Sequence, residues 1–251
     1  MRGEISSGKH AKRHPLDWYV DEVWCARQLR DALGGFRLER ERGLTIWDPA
    51  CGLGNTLQAA CEACLPTVGS DVVDNFDWAA FGEFSHGEVK PELYAADFLN
   101  LEEKPSSGLI PGSRLAQHAS ALLEIAKTCT IVCNPPYSYR KNIAEDFARQ
   151  ALRIAAGRVC LLVPNKWLAS QQRWRLFMED YPPAAVLHLT QRASMPPGDL
   201  IAAMGNRAFR GGMVDYCWVV WDKTRKVYPG ETRTVWLPPL GQPIAPVEGL
   251  A

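Results

Sequence analysis

Two short apolar runs, each ending in a rigid turn, constrain this chain more than any other feature. Thr130-Ile131-Val132-Cys133 leads into Asn134-Pro135-Pro136-Tyr137, and Leu44-Thr45-Ile46-Trp47 leads into Asp48-Pro49-Ala50-Cys51-Gly52-Leu53-Gly54. Unbroken runs of this length, rich in β-branched residues, read as strands buried on both faces, the habit of parallel sheets covered by helices. The rest of the chain fits that pattern, alternating further apolar runs (66–71, 92–97, 158–163, 185–189, 215–221) with amphipathic stretches (17–33, 55–64, 114–127, 142–156, 170–179). In 142–156 the helical spacing puts Ile143, Phe147, Ala151 and Ile154 on one face. The expected fold is α/β, a mostly parallel sheet with helices on both faces.

At 251 residues the chain can bury one sizeable core, so one domain is expected over 14–237. It is flanked by a flexible basic N-terminus, 1–13, and a proline-rich tail, 238–251, expected to pack poorly. Residues 104–113 read as a loop. Residues 193–212, rich in Gly, Pro, Ser and Met, are too long for a simple connection and read as a functional loop. Lysine plus arginine equals aspartate plus glutamate at 28 each, so bulk charge names no polyanionic partner, although a basic stripe can hide in a neutral total. No apolar run is long enough to span a membrane and the N-terminus lacks a signal-peptide core, which implies a cytoplasmic protein. Cys25, Cys129, Cys133, Cys160 and Cys217 sit in apolar contexts as small hydrophobes. Cys61 and Cys64 have C-x-x-C spacing but no second ligand pair, so no metal is expected.

The first turn is built for a cofactor. Gly52 and Gly54 allow a ligand to approach the backbone, and the helix behind them offers N–H groups suited to a carboxylate. Asp71 ends the next strand where ribose hydroxyls commonly find an acceptor, with Asp74 as its rival. Asp97 and Phe98 end the strand after that, an acceptor and an apolar face suited to adenine. The G-x-G-x-x-G fingerprint of dinucleotide sites is missing, because Leu57 stands where the third glycine would.

The second turn is built for a planar amine. An exocyclic amine conjugated to a ring is a poor nucleophile until acceptors engage both of its hydrogens. The Asn134 side-chain carbonyl and the backbone carbonyl of Pro135 can do so, and Pro135 and Pro136 stiffen the backbone that presents them. Tyr137 offers a flat face to a base. Together the two turns point to methyl transfer from S-adenosylmethionine, by proximity and electrostatics.

The stretch from Asp48 to Gly54 and the one from Asn134 to Tyr137 resemble the cofactor and catalytic motifs of DNA adenine-N6 methyltransferases. The resemblance takes in Gly69-Ser70-Asp71, Ala95-Ala96-Asp97-Phe98 and the pre-strand segment His14-Pro15-Leu16-Asp17-Trp18-Tyr19. In the last segment, Leu16 and Asp17 replace the second proline or threonine usual in the family, which leaves open which of residues 14–19 contacts the cofactor; Trp18 is one candidate. Val163-Pro164-Asn165-Lys166-Trp167-Leu168 and residues 215–222 are similar to phage-type members without a large target recognition domain. The resemblance covers 14–222. It implies the Rossmann-like methyltransferase fold: seven strands with the last antiparallel. It implies S-adenosylmethionine held by Asp48, Pro49, Ala50, Cys51, Gly52, Gly54, Asp71, Asp97, Phe98 and Trp18. It also implies duplex DNA as partner, with the target adenine flipped out. Phe209 or Met195 would cover the second face of the base, with Phe209 preferred by spacing. Arg140 and Lys141, then Arg192, Arg207 and Arg210, are phosphate candidates. With little room for a recognition domain, specificity should be short or relaxed and read by 193–212. Competing acceptors are RNA adenine, glutamine in a protein and, least, cytosine N4. A non-catalytic partner subunit is the reading of a different class.

Overall fold

The computed structural model describes residues 14, 16–72, 89–101 and 114–251. Asp74, the 1–13 segment and the 104–113 loop lie outside the described residues. Eight strands form one sheet: β1 (Thr45–Asp48), β2 (Thr67–Asp71), β3 (Glu92–Ala95), β4 (Cys129–Cys133), β5 (Arg158–Pro164), β6 (Ala185–Leu189), β7 (Tyr216–Asp222) and β8 (Arg233–Leu237). Their order is β3-β2-β1-β4-β5-β7-β6-β8. β7 runs antiparallel to both β5 and β6, and the other pairings are parallel. This is the Rossmann-like sheet expected, with β7 as its antiparallel strand. Sequence reading stopped one strand short, because β8 extends the sheet beyond the expected seven. Four of its five residues are not buried, so this edge strand lacks the apolar run that marks β4, β5 and β7.

Helices cover both faces, and the pleat assigns each strand's side chains to one of two cores. On one face Trp47, Ile131 and Cys133 pack against α4 (Arg114–Ala126) and α5 (Ile143–Ile154) through Leu122, Phe147 and Ala151. On the other, Ile46, Val132 and Leu162 pack with α1 (Val23–Ala32) and α3 (Asn55–Glu62) through Cys25, Leu29 and Ala60. α5 has the sequence that suits its ends: Glu145 and Asp146 in the first turn and Arg153 in the last, each favourable to the helix dipole. Seven of the eight cysteines are buried, all eight are free, and no metal-holding cluster occurs among the described residues. No described helix is long and apolar enough to cross a membrane.

Three expectations are corrected. The helix expected at 17–33 begins only at Val23, because residues 17–22 form an extended strap: Asp17 has φ +56°, and Tyr19 bridges Pro197. The helix expected at 170–179 starts late, at Trp174, and widens to a π-helix over Leu176–Asp180 closed by Tyr181 N on Leu176 O, and Phe177 stacks on Trp221. The tail beyond Pro238 is exposed over most of its length, but its end is anchored. Leu250 is buried, Val247 N donates to Ala32 O at 2.8 Å, and the Leu250 carbonyl accepts from the buried Arg158 guanidinium. A short helix, α2 (Arg37–Arg42), also went unforeseen; it carries Glu39 to the buried Arg158.

Candidate functional site

β1 and β4 are neighbouring parallel strands, paired Trp47 to Ile131, so both turns leave the same end of the sheet side by side. They share one cavity of about 990 Å³, open mouth included. Asp48, Pro49, Ala50, Cys51 and Gly52 line it from the first turn, and Asn134 and Pro136 from the second. Asp71, Asp97 and Phe98 close one side, and strap residues Leu16, Asp17, Trp18, Tyr19, Val20 and Asp21 the other. Gly54 shapes the turn at φ +79° without lining the cavity.

The first turn is held by its own acids. Asp48 Oδ1 accepts from Ala50 N at 3.0 Å, and Asp71 Oδ2 accepts from Gly52 N at 3.0 Å. Gly52 has φ +46°, and a Cβ there would lie 3.0 Å from Trp18 Nε1, so only glycine lets the strap close over the turn. Asp97 caps the short turn Phe98–Asn100, accepting from Leu99 N and from the Asn100 amide. Phe98 is buried edge-on against Trp47.

The second turn is fixed from three directions. The Asn134 amide donates to Asp21 Oδ1 at 3.2 Å. The Tyr137 hydroxyl donates to Leu162 O at 2.8 Å and also meets Asn134 Oδ1. Tyr137 N and Ser138 N both donate to Asp17 Oδ2, at 2.7 and 2.6 Å. The Tyr137 ring is half-buried against Tyr216 and faces a second cavity, which Ser138, Lys166, Trp167, Arg173 and Val214 also line. The turn is therefore the wall between two cavities, Asn134 on one side and Tyr137 on the other.

The two cavities differ in charge. The first is lined by Asp17, Asp21, Asp48, Asp71 and Asp97 and, among the described residues, by no Lys, Arg or His. Burial pushes the Asp48 carboxyl up to about 8 and the Asp21 carboxyl up to about 6, the Asn134 amide holding the latter down in part. A site like this favours a cation and rejects the pyrophosphate of a dinucleotide. The indole N–H of Trp18 is buried on its wall with no hydrogen-bond partner. S-adenosylmethionine fits on each count, with a sulfonium and an ammonium for the acids, hydroxyls for Asp71 and an acceptor for the orphaned indole. The second cavity carries Lys166 and Arg173, the latter lying over the Trp167 ring at 4.7 Å.

Other expected site residues are spread around this centre. Met195 comes nearest Asn134, its Sδ 4.0 Å from the amide nitrogen, whereas the preferred Phe209 is 37% exposed. Ser194 Oγ bonds Ala208 O, so both lie on the same stretch of loop. Arg140 pairs with Asp146 at 2.6 Å and Arg192 with Asp215 at 2.7 Å, while Lys141, Arg207 and Arg210 are exposed. Sequence reasoning missed Asp21, the anchoring role of Asp17, and Asn55, which lines the pocket and donates from its amide to Asp21 O at 2.6 Å. An Asp at 17 and another at 21, within a stretch otherwise rich in apolar residues, was the available signal.

No family model matches the sequence, and no curated protein matches it. Among solved structures it is similar to a putative class I S-adenosylmethionine-dependent methyltransferase from Listeria monocytogenes (14% identity, 87% of this chain and 64% of that one, TM-score 0.47). It is also similar to a putative RNA methyltransferase from Pyrococcus horikoshii (14%, 80% and 82%, 0.49). A third is the magnesium protoporphyrin IX methyltransferase of Synechocystis, solved with bound S-adenosylhomocysteine (13%, 78% and 83%, 0.48). This chain spans just under two thirds of the Listeria protein. Likeness at this distance assigns no chemistry, which has to be read from the pocket.

Proposed function

We propose that this chain is an S-adenosylmethionine-dependent methyltransferase acting on the exocyclic N6 of adenine in DNA. The carrying observation is that the Asn134 turn forms one wall of an acidic, glycine-floored pocket and, by its other side, of a separate basic cavity. The acidic pocket suits the cationic cofactor, held by the Asp48 turn, Asp71, Asp97, Phe98 and Trp18. When bound, the cofactor supplies an electrophilic methyl on a sulfonium. The basic cavity, with Lys166 and Arg173 beside Tyr137, suits a base still attached to phosphates and disfavours a protein glutamine.

The chain's own groups act on the amine. Asn134 Oδ1 takes one hydrogen and the Pro135 carbonyl the other, so the nitrogen lone pair is released from the ring. The Tyr137 hydroxyl has a single proton to share between Asn134 Oδ1 and Leu162 O. It settles on Leu162 when the amine arrives, and Asn134 is then free to accept. Asp21 holds the other end of the Asn134 amide and so fixes which atom faces the substrate. A base in a duplex reaches this turn only by leaving the stack.

Incubation with methyl-labelled S-adenosylmethionine and DNA, RNA or total protein should label DNA, as N6-methyladenine on digestion. Label confined to RNA or to glutamine moves the acceptor; no label with any of them removes the enzyme reading.

The raised carboxyls make cofactor binding pH-dependent. A carboxyl whose folded pKa lies above its unfolded value stabilises the fold fully below about pH 4, and that stability is lost as pH rises through 6 and then 8. A bound cation favours the ionised forms, so its affinity runs the other way. The rise in Tm on adding S-adenosylmethionine should grow from pH 5 to pH 8, while neutral adenosine shows no such trend. Equal increments across that window would take Asp21 and Asp48 out of cofactor binding.

A further inference from the structure

The strap over the acidic pocket also holds the Asn134 turn. Asp17 lies at φ +56°, a left-handed conformation that Asp and Asn tolerate better than most residues, and this kink carries its carboxylate under the turn. There Oδ2 accepts from Tyr137 N at 2.7 Å and Ser138 N at 2.6 Å, and the Ser138 hydroxyl lies 3.2 Å from the same oxygen. Asp17 is 6% exposed, so these bonds compete little with water. A carboxylate held by two consecutive backbone N–H groups fixes the peptide planes around Tyr137, directly after the carbonyls that Pro135 and Pro136 present.

The strap is tethered on its far side as well. Gly198 N donates to Trp18 O and Val20 N to Pro196 O, both at 3.0 Å, and a Cβ on Gly198 would fall 2.2 Å from the Trp18 ring. Trp18 sits between Gly52 of the cofactor turn and Gly198 of the long loop. A ligand that fills the pocket and presses on Trp18 therefore presses on a segment bonded to the acceptor turn and to the 193–212 loop.

We infer that Asp17 is a positioning residue: its carboxylate clamps the Tyr137–Ser138 backbone to the cofactor strap, so the acceptor turn takes its working geometry only with the strap closed. The inference rests on the methyltransferase reading, and Asp17 itself need touch neither the amine nor the methyl.

Two variants test it. Asp17→Gly removes the carboxylate and accepts the positive φ without strain. Asp17→Asn keeps the conformation and one acceptor oxygen. Amide hydrogen exchange reads the clamp without any substrate: Tyr137 and Ser138 should exchange faster in Asp17→Gly, with Ile131 in β4 unchanged. In turnover on adenine-containing DNA, kcat should fall about 100-fold, the scale of an ångström-level misplacement. KM for DNA and the cofactor dissociation constant should move much less than kcat, since the strap keeps its bonds to Pro196 and Gly198 and the other four pocket carboxylates remain. Asp17→Asn should recover part of kcat. The inference is overturned if Asp17→Gly keeps kcat within threefold, if its loss lies only in cofactor affinity, or if the two amides exchange as in wild type. A wild-type protein that methylates no adenine overturns the functional reading instead, and the exchange rates still decide the clamp.

Discussion

Replacing Asn134 by Ala should lower methyl transfer to adenine about 100-fold or more while leaving the cofactor bound. Its carbonyl is the side-chain acceptor of the proposed amine site, and a preorganised polar group aimed at developing charge is worth that much in turnover. The other bonds lost, from the amide to Asp21 Oδ1 at 3.2 Å and Tyr19 O at 3.5 Å and from the Tyr137 hydroxyl (which keeps Leu162 O), steady the strap and turn but are worth about 1 kcal/mol each. The cofactor dissociation constant should accordingly move by less than about tenfold. Single-turnover transfer measured beside calorimetric titration of S-adenosylmethionine separates the two. Transfer within a few-fold of wild type would mean that the amine is activated elsewhere.

The largest effect on stability should come from Arg158 and Glu39, far from the pocket. Arg158 Nη1 meets Glu39 Oε2 at 3.1 Å with both side chains essentially out of solvent. Thr130 Oγ1 donates to Glu39 Oε1 at 3.1 Å, and the second guanidinium arm reaches the Leu250 carbonyl. Removing one partner strands the other charge in a low-dielectric core, so Arg158→Met or Glu39→Ala should each cost about 3–5 kcal/mol in urea unfolding. Replacing both, Glu39→Leu with Arg158→Met, should cost far less, because a well-packed apolar pair avoids desolvation altogether. A single variant that loses under 1 kcal/mol would show that water or a relaxed backbone compensates the orphaned charge. The Arg158 variant should also free the C-terminal segment, seen as faster proteolysis beyond Pro238.

Much of this was legible in the sequence because it depends on local chemistry. Short apolar runs rich in β-branched and aromatic residues and bounded by turn residues read as buried strands, so β1, β4, β5 and β7 stood out, and the glycines and prolines beside β1 and β4 marked the turns that line the pocket. β8 was not legible. An edge strand needs no apolar run, and four of the five residues of Arg233–Leu237 are unburied. The strap at 17–22 was misread for a different reason: its apolar residues have helical spacing, but tertiary bonds from Tyr137, Ser138, Asn134 and Gly198 outweigh that weak preference. Spacing favoured Phe209 over Met195, but a loop has no period to read, and the fold sets Met195 beside Asn134.

The sequence by itself determined the two turns, the sheet that carries them and the residue types facing a cofactor and an amine, because strand burial, proline stiffness and glycine freedom act within a few residues. Only the tertiary structure decided that five carboxylates gather in one pocket with no Lys, Arg or His among the described residues, that Asp17 grips the far turn, and that Arg158 draws the last residues into the core. Those are long-range pairings of charged and polar groups, whose energies depend on burial and on partners that neighbouring sequence does not name.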